Sequence, residues 1–245
     1  MKRRRLLVMV VLIALGIVEL PAAHAAGLED LLRDVKRAIG LDQRLSTSKI
    51  IEGLKEALKI SSSNAVKAVS KVGGYYDNPK IKIPLPGAIK KVEKLLRATG
   101  FGPKLDAFEL SLNRAAEQAA PEAKAIVWDA IKQMSFTDAR KILNGRDNEA
   151  TLYFKDKTWD PLHETFKPIA HKAMSRVGVT RKYQELEDKL RSMPFSGILK
   201  FDLDDYVTNG ALEGLFTMLA EEEKKIRQDP AARVTDLLKE VFGNK

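Results

Sequence analysis

Six glycines punctuate this chain, at Gly40, Gly73, Gly100, Gly145, Gly178 and Gly243, and each closes a stretch with helical spacing. A basic residue stands in the turn before each one: Arg37, Lys71, Arg97, Lys141, Arg176 and Lys239. Glycine enters the left-handed cap position without a Cβ clash. A cation there faces the negative end of the helix dipole. Repeated stops of this kind leave room for helices and little else. The starts agree. Pro103, Pro121 and Pro230 fit first helical turns, where a missing N–H costs nothing. Ser46, Thr137, Thr180 and Asp204 are expected N-caps. Between stops and starts, apolar residues recur at helical spacing: Ile89, Val92, Leu95 and Leu96; Leu105, Phe108, Leu112 and Ala116; Val127, Ile131 and Met134; Leu212, Leu215, Phe216, Leu219 and Ile226. The pattern predicts an all-α fold, a single bundle of about seven to nine helices.

Two stretches depart from it. Pro161 and Pro168 interrupt the periodic run from residue 148 to residue 177, and each is expected to kink or break it. Residues 79–86, Pro-Lys-Ile-Lys-Ile-Pro-Leu-Pro, alternate with period two. Three prolines exclude a central strand there. The segment reads as an extended arm laid across helices, with Ile81, Ile83 and Leu85 inward.

The N-terminus reads as an export signal. Lys2-Arg3-Arg4-Arg5 is a basic n-region, Leu6 to Val18 an apolar core, and Ala23-His24-Ala25 a small-x-small cleavage site. Thirteen apolar residues make about 20 Å of helix, short of the roughly 30 Å a bilayer core needs. The expectation is a cleaved leader over residues 1–25, a helical lead-in over 26–45 and one helical domain over 46–245, in the periplasm or secreted. There is no cysteine. Stability must therefore come from a core, without disulfides or Cys-bound metal.

Charge is distributed unevenly. Without residues 1–25 the chain keeps 38 of its 42 basic and 32 of its 33 acidic residues, a net of +6. Residues 80–104 alone carry that surplus: Lys80, Lys82, Lys90, Lys91, Lys94, Arg97 and Lys104 oppose the single Glu93. Lys90, Lys94 and Arg97 share a helical face opposite Ile89, Val92 and Leu96. Such a face beside an apolar arm suits an anionic membrane surface or an acidic protein, or is simply a solvated helix face. Nucleic acid is not expected, because no aromatic residues interleave the cations.

Several segments also resemble a known family. They are Asn78-Pro79, Ile83-Pro84-Leu85-Pro86-Gly87, Lys91-Val92-Glu93-Lys94-Leu95, Ser111-Leu112-Asn113-Arg114-Ala115-Ala116-Glu117 and Asp129-Ala130-Ile131-Lys132-Gln133-Met134. Near the C-terminus they are Leu203-Asp204-Asp205-Tyr206-Val207-Thr208, Ala220-Glu221-Glu222-Glu223-Lys224 and Thr235-Asp236-Leu237-Leu238. In this order they resemble a bacterial exported family catalogued as domain of unknown function 4197, over about Ser46 to Gly243. The resemblance implies a mainly helical exported protein of mostly Gram-negative bacteria. It carries over no activity and no functional residue. Residues 193–200 fall where the family has a variable loop.

Other motifs carry less chemistry. His163-Glu164-Thr165-Phe166-Lys167 lacks the second histidine of a zinc-protease helix, and Lys167 would repel an ion there. His163 and His171 are eight apart, too far to share a metal unaided. Asp202, Asp204, Asp205 and Glu213 imitate a calcium loop, but Val207 stands where the turn needs glycine; capping by Asp204 is the simpler reading. Glu221-Glu222-Glu223-Lys224-Lys225 reads as a solvated run with a Glu221–Lys225 pair. Asn113, Arg114 and Glu117 form a polar cluster on an apolar, alanine-rich helix, either a buried network or a small site. No catalytic frame, cofactor motif or metal set is present. The leading expectation is a non-enzymatic envelope protein using the basic stretch as contact surface, with the oligomeric state left open. The alternatives are a carrier of an apolar ligand between helices opened at Pro161 and Pro168, and an enzyme centred on Asn113, Arg114 and Glu117.

Overall fold

The computed structural model describes residues 47–191 and 202–243. The expected leader, the lead-in, the Gly40 stop, the Ser46 cap and the loop at 193–200 lie outside the described residues. The described elements are helical. In chain order they are α1 (Thr47–Val69), α2 (Gly87–Leu96), a π-turn (Arg97–Phe101), α3 (Gly102–Gln133), α4 (Phe136–Leu143), α5 (Glu149–Val177), α6 (Val179–Arg191), α7 (Leu203–Gln228), a 3-10 turn (Pro230–Ala232) and α8 (Asp236–Phe242). The all-α expectation holds.

α3 is the central helix. The middle of its inward face is rich in small residues, with Ala115, Ala116, Ala119, Ala120 and Ala123 buried. Small side chains let α1, α5 and α7 approach it closely, and those three also pack on one another: α1 on α7, and α5 on α7. Larger residues fill the layers above and below: Leu105, Phe108 and Leu112 on α3, Phe166 on α5, and Leu212, Leu215 and Phe216 on α7. Each fully buried large side chain contributes about 1.5–3 kcal/mol. α4 and α8 close over α1, and α6 lies against α3.

The expected stops are met where the backbone turns left-handed. Gly178 has φ +73° at the end of α5, and its N–H reaches the carbonyls of Met174 and Ser175. Gly100 has φ +80° in the turn joining α2 to α3, and Gly73 has φ +86°. Gly145 and Gly243 do not use the left-handed region; a Cβ on either would strike Glu149 or the Lys239 carbonyl. Close approach, not handedness, selects glycine there.

The prolines divide. Pro103 starts α3 and Pro230 starts the 3-10 turn, as expected. Pro121 instead lies inside α3, and Pro161 and Pro168 lie inside a continuous α5. The reason for α5 is the side of the helix. Both prolines are exposed, and the carbonyls they orphan, at Lys157 and Glu164, belong to exposed residues, where water can bond them. The buried face, Leu162, Phe166, Ala170 and Ala173, holds the helix together across them.

Three caps also move. Asp202, not Asp204, caps α7 by accepting from the Asp205 N–H. α4 begins at Phe136, so Thr137 is already helical; Ser135 precedes it and bonds Asp138. α6 begins directly after Gly178, so Thr180 is in its first turn. Leu95, counted with the α2 stripe, is 41% exposed.

The arm is real. Ile81, Ile83 and Leu85 are buried, as expected. Residues 82–86 are without regular structure, while residues 79–81 form a turn, with the N–H groups of Ile81 and Lys82 bonded to the Asn78 carbonyl. The arm runs antiparallel to α7. Tyr206 Oη donates to the Pro84 carbonyl at 2.9 Å, Gly210 faces Ile83, and Gly214 faces Ile81 and Tyr75. Only glycine permits this approach: a Cβ at Gly214 would lie 2.5 Å from the Tyr75 ring. Tyr75 cannot move aside, because it is fully buried and its hydroxyl donates to the Ala211 carbonyl at 2.6 Å. Gly214→Ala is therefore expected to destabilise the protein by about 1–3 kcal/mol, read as a lowered midpoint in urea unfolding. Gly210→Ala, 3.0 Å from Ile83 at its terminal methyl, is expected to cost less, because that aliphatic side chain can shift.

Candidate functional site

The basic stretch is built on three successive pieces, the arm, α2 and the start of α3. The fold separates its cations into two groups. Four have acidic partners from elsewhere in the chain. Lys80 pairs with Glu221 of α7. Lys82 pairs with Glu109 of α3 at 2.7 Å and lies over the Tyr76 ring. Arg97 bonds Asp106 at 2.7 Å and Glu93 at 2.9 Å. Lys104 pairs with Glu185 of α6. The titration behaviour follows. The hydrogen bond to Glu109 raises Lys82 above its ordinary range. The hydrogen bonds to Asp106 and Glu93 raise Arg97. Asp106 and Glu185 are held below the usual carboxylate range by Arg97 and Lys104.

Lys90, Lys91 and Lys94 remain. All three are exposed on α2 and have no acidic partner among the described residues. Ile89, Val92 and Leu96 bury the opposite face. Arg97, expected to extend the basic face, is turned away into its two ion pairs. The outer side of α2 thus carries three cations without an acidic partner among the described residues, with the exposed Leu95 at their edge. Gly87 starts the helix after Pro86, and the left-handed Gly100 ends its connection to α3.

Asn113, Arg114 and Glu117 do come together near the arm, as clasps. Asn113 is fully buried. Its carboxamide oxygen accepts from the Ile83 N–H at 2.8 Å, and its nitrogen donates to the Ile83 carbonyl at 2.7 Å. The side chain thus acts as the neighbouring strand that the arm lacks. Its second N–H bonds the Glu109 carbonyl. Glu117 is also buried. One carboxylate oxygen accepts from the backbone N–H groups of Gly73, Tyr75 and Tyr76 at 3.1, 3.2 and 3.3 Å; the other accepts from Arg114. The cluster holds the 73–83 segment to α3, and its hydrogen-bonding capacity is spent on backbone. Tyr75 completes the joint, with burial raising its phenol far above the ordinary range.

A second buried carboxylate contradicts the reading of the 221–225 run as solvated. Glu223 is 5% exposed. It accepts from the Ala150 and Thr151 N–H groups at 3.0 and 2.8 Å, and from Thr151 Oγ1 at 2.7 Å. Arg227 pairs with it at 2.9 Å and donates to the Ile142 and Leu143 carbonyls. One Glu–Arg pair thus bonds the first turn of α5 and the last turn of α4, each with the charge its helix dipole favours. The sign was present in the sequence: Glu223 falls in register with Leu219 and Ile226. Glu221, expected to pair with Lys225, pairs with Lys80, and Lys225 turns to Glu222.

The histidines meet the aspartates. On α5, His163, Lys167 and His171 face the start of α7. Lys167 bonds Asp202 at 2.8 Å and Asp205 at 2.6 Å, His171 bonds Asp204 at 3.0 Å, and His163 lies 3.5 Å from Asp205. The two carboxylates raise Lys167 above its ordinary range, and Lys167 in turn lowers Asp202. The ammonium bridges Asp202 and Asp205. Among the described residues no set of three or more His, Cys, Asp or Glu is placed to hold a metal ion, and no described helix is long and apolar enough to cross a membrane.

A groove of about 290 Å³ lies between the arm and α7, lined by Ile81, Ile83, Pro84, Tyr206, Asn209 and Thr217 among others. A polar recess of about 320 Å³ lies where α4 meets α5, around Asp138, Lys141, Tyr153 and Lys157. Burial and a hydrogen bond to Asp138 push the Tyr153 phenol up to about 12.

A family model described as protein of unknown function (DUF4197) matches residues 44–243. No curated protein and no solved structure matches the chain.

Proposed function

The chain belongs to the DUF4197 family, and on that premise we propose that it is a non-enzymatic interaction module whose contact face is the outer side of α2, docking on an anionic surface. The observation that supports this reading is the separation of the basic stretch. Arg97, Lys80, Lys82 and Lys104 are absorbed in ion pairs, while Lys90, Lys91 and Lys94 stand together without one among the described residues. Exposed lysines of this kind each gain about 1 kcal/mol near an anionic surface, so three supply about 3 kcal/mol, a weak and salt-sensitive attachment. The leader read from the N-terminal sequence is consistent with it, since it would bring the protein to the cell envelope.

The test is charge reversal. Lys90→Glu with Lys94→Glu is expected to weaken binding to anionic vesicles by at least tenfold, and raising salt from 0.05 M to 0.5 M to weaken the wild type similarly, as screening shortens the reach of each charge. Both side chains are exposed, so the melting temperature should stay within a few degrees. Unchanged vesicle and acidic-polymer binding by this variant would remove α2 as the contact face.

A further inference from the structure

We infer that the partner of α2 is a lipid bilayer with anionic headgroups, and that Leu95 enters it. This rests on the docking reading above and adds the identity of the surface. Leu95 is 41% exposed while the rest of its stripe, Ile89, Val92 and Leu96, is buried. It stands one turn from Lys91 and next to Lys94, so a leucine projects at the edge of the unneutralised cations, between them and the buried stripe. A membrane interface satisfies both groups at once. Lysine stems are long enough to keep their ammonium groups at headgroup phosphates while a shorter apolar side chain sits below them. An acidic protein would complement the lysines but would also need a pocket for the leucine. Glu93, the one carboxylate on α2, is drawn aside to Arg97 at 2.9 Å, away from the three lysines. α2 is ten residues long, about 15 Å, enough to lie along a surface and too short to span one.

The experiment uses the full chain, sedimented with vesicles of phosphatidylglycerol and phosphatidylethanolamine and, in parallel, captured on immobilised polyglutamate. Leu95→Ser is expected to weaken vesicle binding about tenfold, the effect of withdrawing one partly inserted leucine, and to leave polyglutamate binding unchanged. Leu95→Trp is expected to give a blue-shifted emission with these vesicles, quenched by acyl-chain bromination, beyond any change from Trp128 and Trp159 in the wild type. Vesicle binding by Leu95→Ser equal to wild type would overturn the insertion, as would tighter binding of the wild type to polyglutamate than to vesicles. Failure of the docking reading itself is separate, because there the Lys90 and Lys94 reversal would leave both surfaces bound.

Discussion

Glu117→Ala is expected to lower stability by about 3–5 kcal/mol. The carboxylate is 4% exposed and accepts four hydrogen bonds, three from backbone N–H groups of the 73–76 turn and one from Arg114. Alanine would orphan the buried Tyr75 N–H and the part-buried Gly73 and Tyr76 N–H groups, and a buried unsatisfied group costs about 1–3 kcal/mol. For a domain of this size the melting temperature should fall by about 10 °C, measured by circular dichroism. Glu117→Gln separates the two roles. It keeps an oxygen for the backbone and loses the charge opposite Arg114, so about 1–2 kcal/mol is expected. A loss for Glu117→Ala below about 1 kcal/mol would mean that water satisfies the turn and that Glu117 is not its clasp. Because the same turn leads into the arm, hydrogen exchange at Ile83 should accelerate in the variant.

Glu223→Ala is expected to cost a similar amount, about 3–5 kcal/mol, for a different reason. Here the loss includes a stranded cation. Arg227 has a side chain only 8% exposed and would remain among the α4, α7 and α8 residues without its partner. The double variant Glu223→Leu with Arg227→Met tests this. Removing both charges is expected to be less damaging than the sum of the single variants, a coupling of about 1–3 kcal/mol in urea unfolding. Additive single effects would show that the pair does not act as a unit.

These two carboxylates mark how differently a sequence displays its parts. Glu117 was visible as one of three polar residues in an alanine-rich stripe, and either a network or a site was a fair expectation. Apart from Arg114 one turn away, its partners are backbone groups some forty residues away, which no helical pattern can show. Glu223 was hidden by the charged residues beside it. Only its register with Leu219 and Ile226 distinguishes it from Glu222, which pairs at the surface with Lys225. The basic stretch was legible as a cluster along the chain, but its acidic partners, Glu221, Glu109, Asp106 and Glu185, come from α7, α3 and α6. What survives as free charge is the part of the cluster that no acidic side chain of another described helix reaches.

Local chemistry determined the helical character of this chain, most of its stops, its inward arm residues and the apolar face of nearly every helix. Those properties depend on neighbours within a few positions: a cap, a proline ring, a stripe of period 3.6. Tertiary structure alone decided which cations remain unneutralised, why Gly210 and Gly214 are glycines, and where the two buried carboxylates find their donors. Prolines belong to both levels. Their missing N–H is a local fact, but whether a helix tolerates it depends on which side faces water, and only packing assigns that side.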